Sequence, residues 1–371
     1  MTSRDRLLTA MRRQQPDRVP IHMRGVRAWD PEWVSSRDPS YRPVIEAVRE
    51  HCDAVIRPWV GGLYNPLFTG ATEDIEEVQL IDSGDWTIRR TILHTRKGDI
   101  WRDHWVSKRG YLPLTKKCFI ETPEDAERAL SVPYRRPTVD LSQYFTAQDE
   151  YPDGLVICEF DQAPAGVHEL LGSENFAYWW MERRELLFRM QEVFAERVLD
   201  IVGGLLDAGV GPVLGTHGAE YIAPPMHSPQ TYREFVLPFF SDLCRLVHDR
   251  GCLLHVHCHN SLNAVLEDIA DSGWDAMHPL EAPPMGDVVL ADAKRRIGDR
   301  ICIEGNIQIG DIYASPTEEV VRLVTEAMEA GKPGGGFILC PTASPHTPQL
   351  TDLTVRNYLA MIETAVKLRD Y

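Results

Sequence analysis

Residues 253–260 read Leu253-Leu254-His255-Val256-His257-Cys258-His259-Asn260. Successive side chains of a strand point to opposite faces. Leu253, His255, His257 and His259 therefore share one face, and Leu254, Val256 and Cys258 share the other. The second face is apolar throughout and suits a covering helix. The first turns polar toward its C-terminal end, where strands of a parallel α/β barrel expose their catalytic groups.

Other segments repeat the pattern. In 301–308, Cys302, Glu304, Asn306 and Gln308 oppose Ile301, Ile303 and Ile307. In 155–161, Glu159 and Asp161 oppose Val156, Cys158 and Phe160, and in 19–24, His22 and Arg24 oppose Val19, Ile21 and Met23. Candidate strands fall at 19–23, 54–58, 155–160, 212–217, 253–259, 276–280, 301–307 and 336–341. Amphipathic helical patterns lie between them, some opened by Ser228-Pro229 and Ser315-Pro316, with Gly251 and Gly331 at expected C-caps. This alternation predicts an α/β fold, a (β/α)8 TIM barrel. One stretch departs from it. Residues 85–120 are rich in β-formers, with turn signals at Lys97-Gly98-Asp99 and Arg109-Gly110. They are expected to form a β-hairpin excursion inserted in a single domain spanning 1–371.

The 371 residues carry a formal charge of −16 with a pI near 5.3, and 43% are hydrophobic. That balance provides a core and argues against nucleic acid or anionic membranes as partners. No run is long enough for a membrane span, and the N-terminal segment MTSRDRLLTAMRRQQPDRVP lacks the apolar core of a signal peptide, so it reads as a first helix. The eight cysteines show no paired CxxC spacing. Reduced thiols and a cytoplasmic location are expected.

Several segments resemble the uroporphyrinogen decarboxylase superfamily in order and spacing. They are RLLTAMRRQQPDRVPIHMR (6–24), LGSENFAYWWMERRELLFRMQEVF (171–194), SPQTYREFVLPFF (228–240), LLHVHCHN, HPLEAPP (278–284), GDRICIEGNIQ (298–308) and GGGFILCPTASPHTP (334–348). The superfamily contains the decarboxylase itself and zinc-dependent, corrinoid-linked methyltransferases. Against the decarboxylase's Met-Arg-Gln-Ala-Gly-Arg loop stands Met23-Arg24-Gly25-Val26-Arg27. Its Phe-Ser-Asp-Ile loop has no counterpart near 67–74, and its Gly-His-Gly-Ile segment is replaced by PTASPHTP. The thiolate-rich zinc pattern of methyltransferases is also altered. His255 and His257 occupy the His-x-Cys positions, Cys340 lies ahead of the late cysteine, whose position falls at Ala343, and parity turns Cys258 toward the outer helices.

Glu220, Glu234 and His255 resemble the Glu–Glu–His metal pattern of methyltransferase components of aryl-ether O-demethylases, with His217 and His257 as further candidate ligands. The resemblance implies Zn²⁺ there, although these donors also suit Fe, Mn or Co. Arg24 is the candidate for holding an anionic substrate group. His257, Glu281 and Asn306 are candidate catalytic residues at the mouth, and His259 and His278 would order it. The implied function is a metal-dependent methyltransferase moving a methyl group between a small methylated substrate, such as an aryl methyl ether, and a corrinoid protein. Two alternatives stay open: a decarboxylase of a carboxylated substrate, and a non-catalytic barrel that binds a corrinoid or tetrapyrrole. A homodimer is one assembly open to the chain.

Overall fold

The computed structural model describes residues 1–109, 111 and 113–371. The chain divides into two compact units, one of residues 1–59, 141–159 and 210–371, the other of 60–140 and 160–209.

In the first unit, parallel strands run in the order Phe337–Pro341, Cys302–Ile307, Ala276–His278, Leu253–His257, Val213–His217 and Cys158–Phe160. Val55–Ile56 pairs in parallel with Leu155–Val156. Backbone hydrogen bonds then close the ring. Ile157 donates to Ile56 (2.9 Å), Asp53 to Ile21 (2.7 Å), His22 to Leu339 (2.9 Å), and Leu339 to Pro20 (3.0 Å). Segment 20–22 thus lies between the second strand and the last, completing an eight-membered parallel barrel among the described residues. Pro20 has no N–H to give, which is why this first staff contributes only a bridge at Ile21–Leu339. The eight expected strand positions are all used, and the fold is a TIM barrel.

The inward residues at the base of the strands are apolar. Leu155, Ile157, Val213, Leu253, Ala276, Cys302 and Ile338 form one cluster with Leu7, Leu8, Ala10 and Met11 of the helix Ser3–Met11. This helix starts at Thr2, whose hydroxyl accepts from the Asp5 N–H at 3.0 Å. Arg6 anchors it. Its buried guanidinium donates to Asp53 at 2.5 Å, and Asp53 also accepts from Ser3 and from the Ile21 N–H, both at 3.0 Å. Removing one partner of a buried ion pair strands the other, so Arg6→Met should cost about 3 kcal/mol. Urea unfolding measures this; a loss under about 1 kcal/mol would show that Asp53 does not depend on Arg6.

Ser228 caps the helix Pro229–Phe235, accepting from the Thr231 N–H at 3.1 Å. The second expected cap is shifted. The helix Thr317–Gly331 has Pro316 at its N-cap, while Ser315 donates to Asp311 at 2.8 Å. Gly331 likewise ends that helix rather than following it, and the positive φ falls on Gly334, Gly335 and Gly336. Gly251 does take a left-handed conformation, at φ 69°.

The second unit holds an antiparallel sheet of Glu76–Ser83, Trp86–Thr95, Gly98–Ser107 and Leu114–Lys117. It begins at Glu76, earlier than the excursion expected from 85, because a turn at Gly84 (φ 63°) folds EEVQLIDS back onto the next strand from Ser83–Trp86 to Glu76–Leu93. The expected turn at Lys97-Gly98 is present, with Thr95 opposite Gly98. The other expected turn contains Gly110, which lies outside the described residues. Two long helices, Ala163–Glu182 and Arg184–Asp207, accompany the sheet. The first breaks at Gly172 (φ 75°), where a Cβ would approach the Cys118 sulfur to 2.9 Å. Arg197 donates to the carbonyls of Leu67 and Val132 at 2.7 and 2.8 Å, tying loop to helix. Trp179 is buried, and Trp180 stacks on Phe176 with centroids 6.4 Å apart. Both aromatics therefore serve helix packing. Among the described residues no helix is long and apolar enough to cross a membrane, and all eight cysteines are free.

Candidate active site

Inward positions of the barrel change character from base to mouth. Above the apolar floor stand His255, Glu304 and Cys340, and nearer the mouth His217, His257 and His278 occupy one rung of three paired strands. Glu304 is the hub of the lower layer. Its carboxylate accepts from His255 Nε2 at 2.5 Å and from His22 Nδ1 at a shorter distance. His255 reaches it because Ala276, its neighbour on the intervening strand, is small. Burial pushes the Glu304 carboxyl up, but His22 and His255 hold it well below its ordinary range. Burial in turn pushes His22 below its ordinary value. Cys340 completes the layer, its sulfur 3.8 Å from His22 Nδ1, with its thiol pushed well up by burial and by Glu304.

Two arginines border this layer. Arg57, just past the second strand, donates to Glu159 at 2.9 Å. Burial raises the Glu159 carboxyl, and Arg57 and Arg24 bring it below its usual value. Arg24 is pushed down by burial and by Arg57 beside it. Arg24 Nη1 and Arg57 Nη2 are both buried without a hydrogen-bond partner among the described residues. A buried guanidinium N–H left unmatched is costly, and an anion is the species that would match two of them.

At the mouth, His257 Nδ1 lies 2.8 Å from His278 Nδ1, and His278 Nε2 lies 2.9 Å from the Pro341 carbonyl. His259 Nδ1 is 3.1 Å from Glu281. Asn306 is half-buried and its side chain makes no hydrogen bond among the described residues. Cys258 is buried beside Tyr232 of the helix Pro229–Phe235, on the outer side, as period-two alternation requires.

The expected metal set does not assemble. Among the described residues the one group of three donors lying within 4.8 Å of one another is His22, Glu304 and Cys340. Glu220 instead accepts from the Gly218 N–H at 3.0 Å, with burial raising its carboxyl despite His259 and His217 nearby. Glu234 accepts from Gln230 at 2.6 Å on its own helix, and His255 is taken by Glu304. Each of the three is instead hydrogen-bonded elsewhere: Glu220 to a loop N–H, Glu234 to a helix neighbour and His255 to Glu304. Of the residues singled out for catalysis, Arg24 and His257 lie with the buried polar groups, and Glu281 joins His259. Arg57 and the hub role of Glu304 escaped the sequence reading, and Cys340 was set aside there as lying ahead of the late-cysteine position. Parity had placed His22 and Glu304 on polar faces, but nothing linear marked which strands would face each other.

Comparison with known proteins fits this architecture. Methylcobamide:CoM methyltransferase of Methanosarcina barkeri is 24% identical over 200 residues, 53% of this chain and 55% of that one. Uroporphyrinogen decarboxylase of Chlorobium phaeobacteroides is 31% identical over 91 residues, 24% of each chain. The chain thus spans about half the length of the first of these curated relatives and less of the second. A solved methyltransferase from Methanosarcina mazei has the same fold, with a TM-score of 0.62 at 17% identity over 98% of both chains. Residues 148–366 match the family described as uroporphyrinogen decarboxylase (URO-D), a span running from the third barrel strand to the last helix, and the chain belongs to that family.

Proposed function

We propose that the protein is a methyltransferase of this family, moving a methyl group between a small methylated, carboxylate-bearing substrate and a corrinoid carried by a partner protein. The observation that carries the reading is the pair of buried, unmatched N–H groups on Arg24 and Arg57 beside the layer of His22, Glu304 and Cys340. Two guanidinium groups suit one carboxylate. A tetrapyrrole with many carboxylates would need more cations than these two. A carboxylate clasped between two guanidinium groups is also stabilised as an anion, which opposes its loss as carbon dioxide. The methyltransferase reading is favoured on both counts over the decarboxylase.

Once the His22 Nδ1 proton and the Cys340 thiol proton are released, His22 Nδ1, the Glu304 carboxylate and Cys340 Sγ would offer nitrogen, oxygen and sulfur, a set suited to zinc. A divalent ion there would supply Lewis acidity to a substrate oxygen, making a poor leaving group better. The chain's own residues do the rest. Arg24 and Arg57 orient the substrate by its carboxylate. Glu304 keeps His255 in a fixed orientation through its second oxygen, which accepts from His255 Nε2. Glu281 holds His259 at the rim.

Purified protein should contain about one divalent metal per chain by mass spectrometry. Cys340→Ala should lose it, and Glu234→Ala should retain it. Cobalt substitution should give a thiolate charge-transfer band that vanishes in Cys340→Ala. Metal-free protein that still transfers methyl groups to a corrinoid protein would refute the metal role. Failure of every carboxylated methyl donor, tried with cobalt(I) corrinoid protein, would refute the substrate class.

A further inference from the structure

Two histidines of the rung, His257 and His278, can be assigned proton by proton. His278 is fully buried, and its Nε2 faces the Pro341 carbonyl at 2.9 Å. A carbonyl only accepts, so His278 Nε2 carries a hydrogen. Its other nitrogen, Nδ1, faces His257 Nδ1 at 2.8 Å, with the two rings 5.0 Å apart and 18° from parallel. One proton lies between those two nitrogens. Were it on His278, that ring would be an imidazolium buried beside Arg24. Burial, and then Arg24, press both rings well below their ordinary values. The proton therefore sits on His257 Nδ1. A neutral imidazole carries a single N–H, which leaves a lone pair on His257 Nε2. That nitrogen has no hydrogen-bond partner among the described residues and keeps some exposure to solvent.

We infer that His278, held by the Pro341 carbonyl, is a positioning residue that locks His257 in the Nδ1–H tautomer and so presents a fixed lone pair at the barrel mouth. A ligand group meeting His257 Nε2 must bring a hydrogen-bond donor, such as a hydroxyl, a thiol or an ammonium N–H. A carbonyl or carboxylate finds no donor there. Arg24 and Arg57 have the opposite demand, since a guanidinium only donates. The unit therefore selects small ligands carrying both a carboxylate and a donor group, with 2-hydroxy and 2-thio acids the simplest. This ligand class rests on the substrate reading above; the tautomer assignment does not.

The test uses the full chain labelled with ¹⁵N at histidine, with the His257 signals assigned by their loss in His257→Gln. At neutral pH the spectrum should show a pyrrole-type Nδ1 and a pyridine-type Nε2 for His257. His278→Leu removes the acceptor and should shift His257 toward the Nε2–H tautomer. His278→Gln can still donate to Pro341 and accept from His257, and should restore the original pattern. An imidazolium or an Nε2–H tautomer in the unsubstituted protein overturns the inference, as does an unchanged pattern in a folded His278→Leu. If neither variant folds, the unsubstituted spectrum decides alone. Glycolate and acetate then probe the ligand class. Glycolate should bind about tenfold more tightly, and His257→Leu should erase the difference. Equal binding overturns the donor selection, whereas binding of neither acid overturns the carboxylate reading and leaves the tautomer standing.

Discussion

Replacing Arg24 with Met is expected to lower kcat/KM for methyl transfer by about 100-fold or more, with little change in folding stability. The two effects separate because the guanidinium contributes differently to each state. In the unliganded protein Arg24 Nη1 is buried and unmatched, so the side chain carries a desolvation cost without a compensating hydrogen bond. Removing it relieves that cost, and stability should stay within about 1 kcal/mol of the parent. Against a bound carboxylate the same group makes a charge-assisted contact, and losing one costs about 2–5 kcal/mol. Each 1.4 kcal/mol is tenfold. Arg57→Met should differ instructively. It breaks the 2.9 Å bond to Glu159, so it should reduce both activity and stability. Steady-state kinetics with unfolding curves read both quantities. An Arg24→Met enzyme of full activity would remove the anion site from the proposed mechanism.

Glu304→Leu should destabilise the protein by about 3–5 kcal/mol and abolish metal retention. Its carboxylate accepts from two buried imidazoles, His22 and His255, and leucine would leave both N–H groups without an acceptor in the barrel interior. No water is at hand to replace it, because His255 and Glu304 are each about 1% exposed. Glu304→Gln should cost less. An amide oxygen can still accept from one imidazole, and the amide nitrogen can donate to the other once that ring changes tautomer. The ordering Leu worse than Gln worse than the parent is the signature of a double acceptor. Urea unfolding at constant m-value measures it. Should Glu304→Leu unfold within about 1 kcal/mol of the parent, Glu304 is not the hub assigned to it.

Much of this was written along the chain. The eight strands, their inward and outward faces and the outward aim of Cys258 all follow from a two-residue period, a local rule that any register-correct reading obeys. The polar ends of strands at His255, His257, Glu304, Asn306, His22 and Arg24 could be picked out one by one in the same way. What could not be read was which of them meet. His22 and Glu304 are 282 positions apart and His255 and Glu304 are 49 apart, and their contacts depend on ring closure and on the small Ala276 between two strands. Glu220 and Glu234 looked like partners of His255 by spacing, yet in the fold Glu220 accepts from a loop N–H and Glu234 from a residue of its own helix.

Arg57 shows the same limit from another side. It falls inside the candidate strand at 54–58, on the face of Val55, yet a single charged residue in so short a run carries no mark of the carboxylate or the second guanidinium that it meets after ring closure. The sequence alone determined the barrel, its first helix, and the pool of polar side chains available at the strand ends. Tertiary structure decided the sharing of those side chains: Glu304 between two imidazoles, Cys340 beside His22, His278 between His257 and a carbonyl, and two guanidinium groups left unmatched. The reason is that periodicity is set by the backbone of each strand, whereas a hydrogen bond is awarded to the nearest group of the right polarity, and nearness across a closed barrel exists only after the ring has formed.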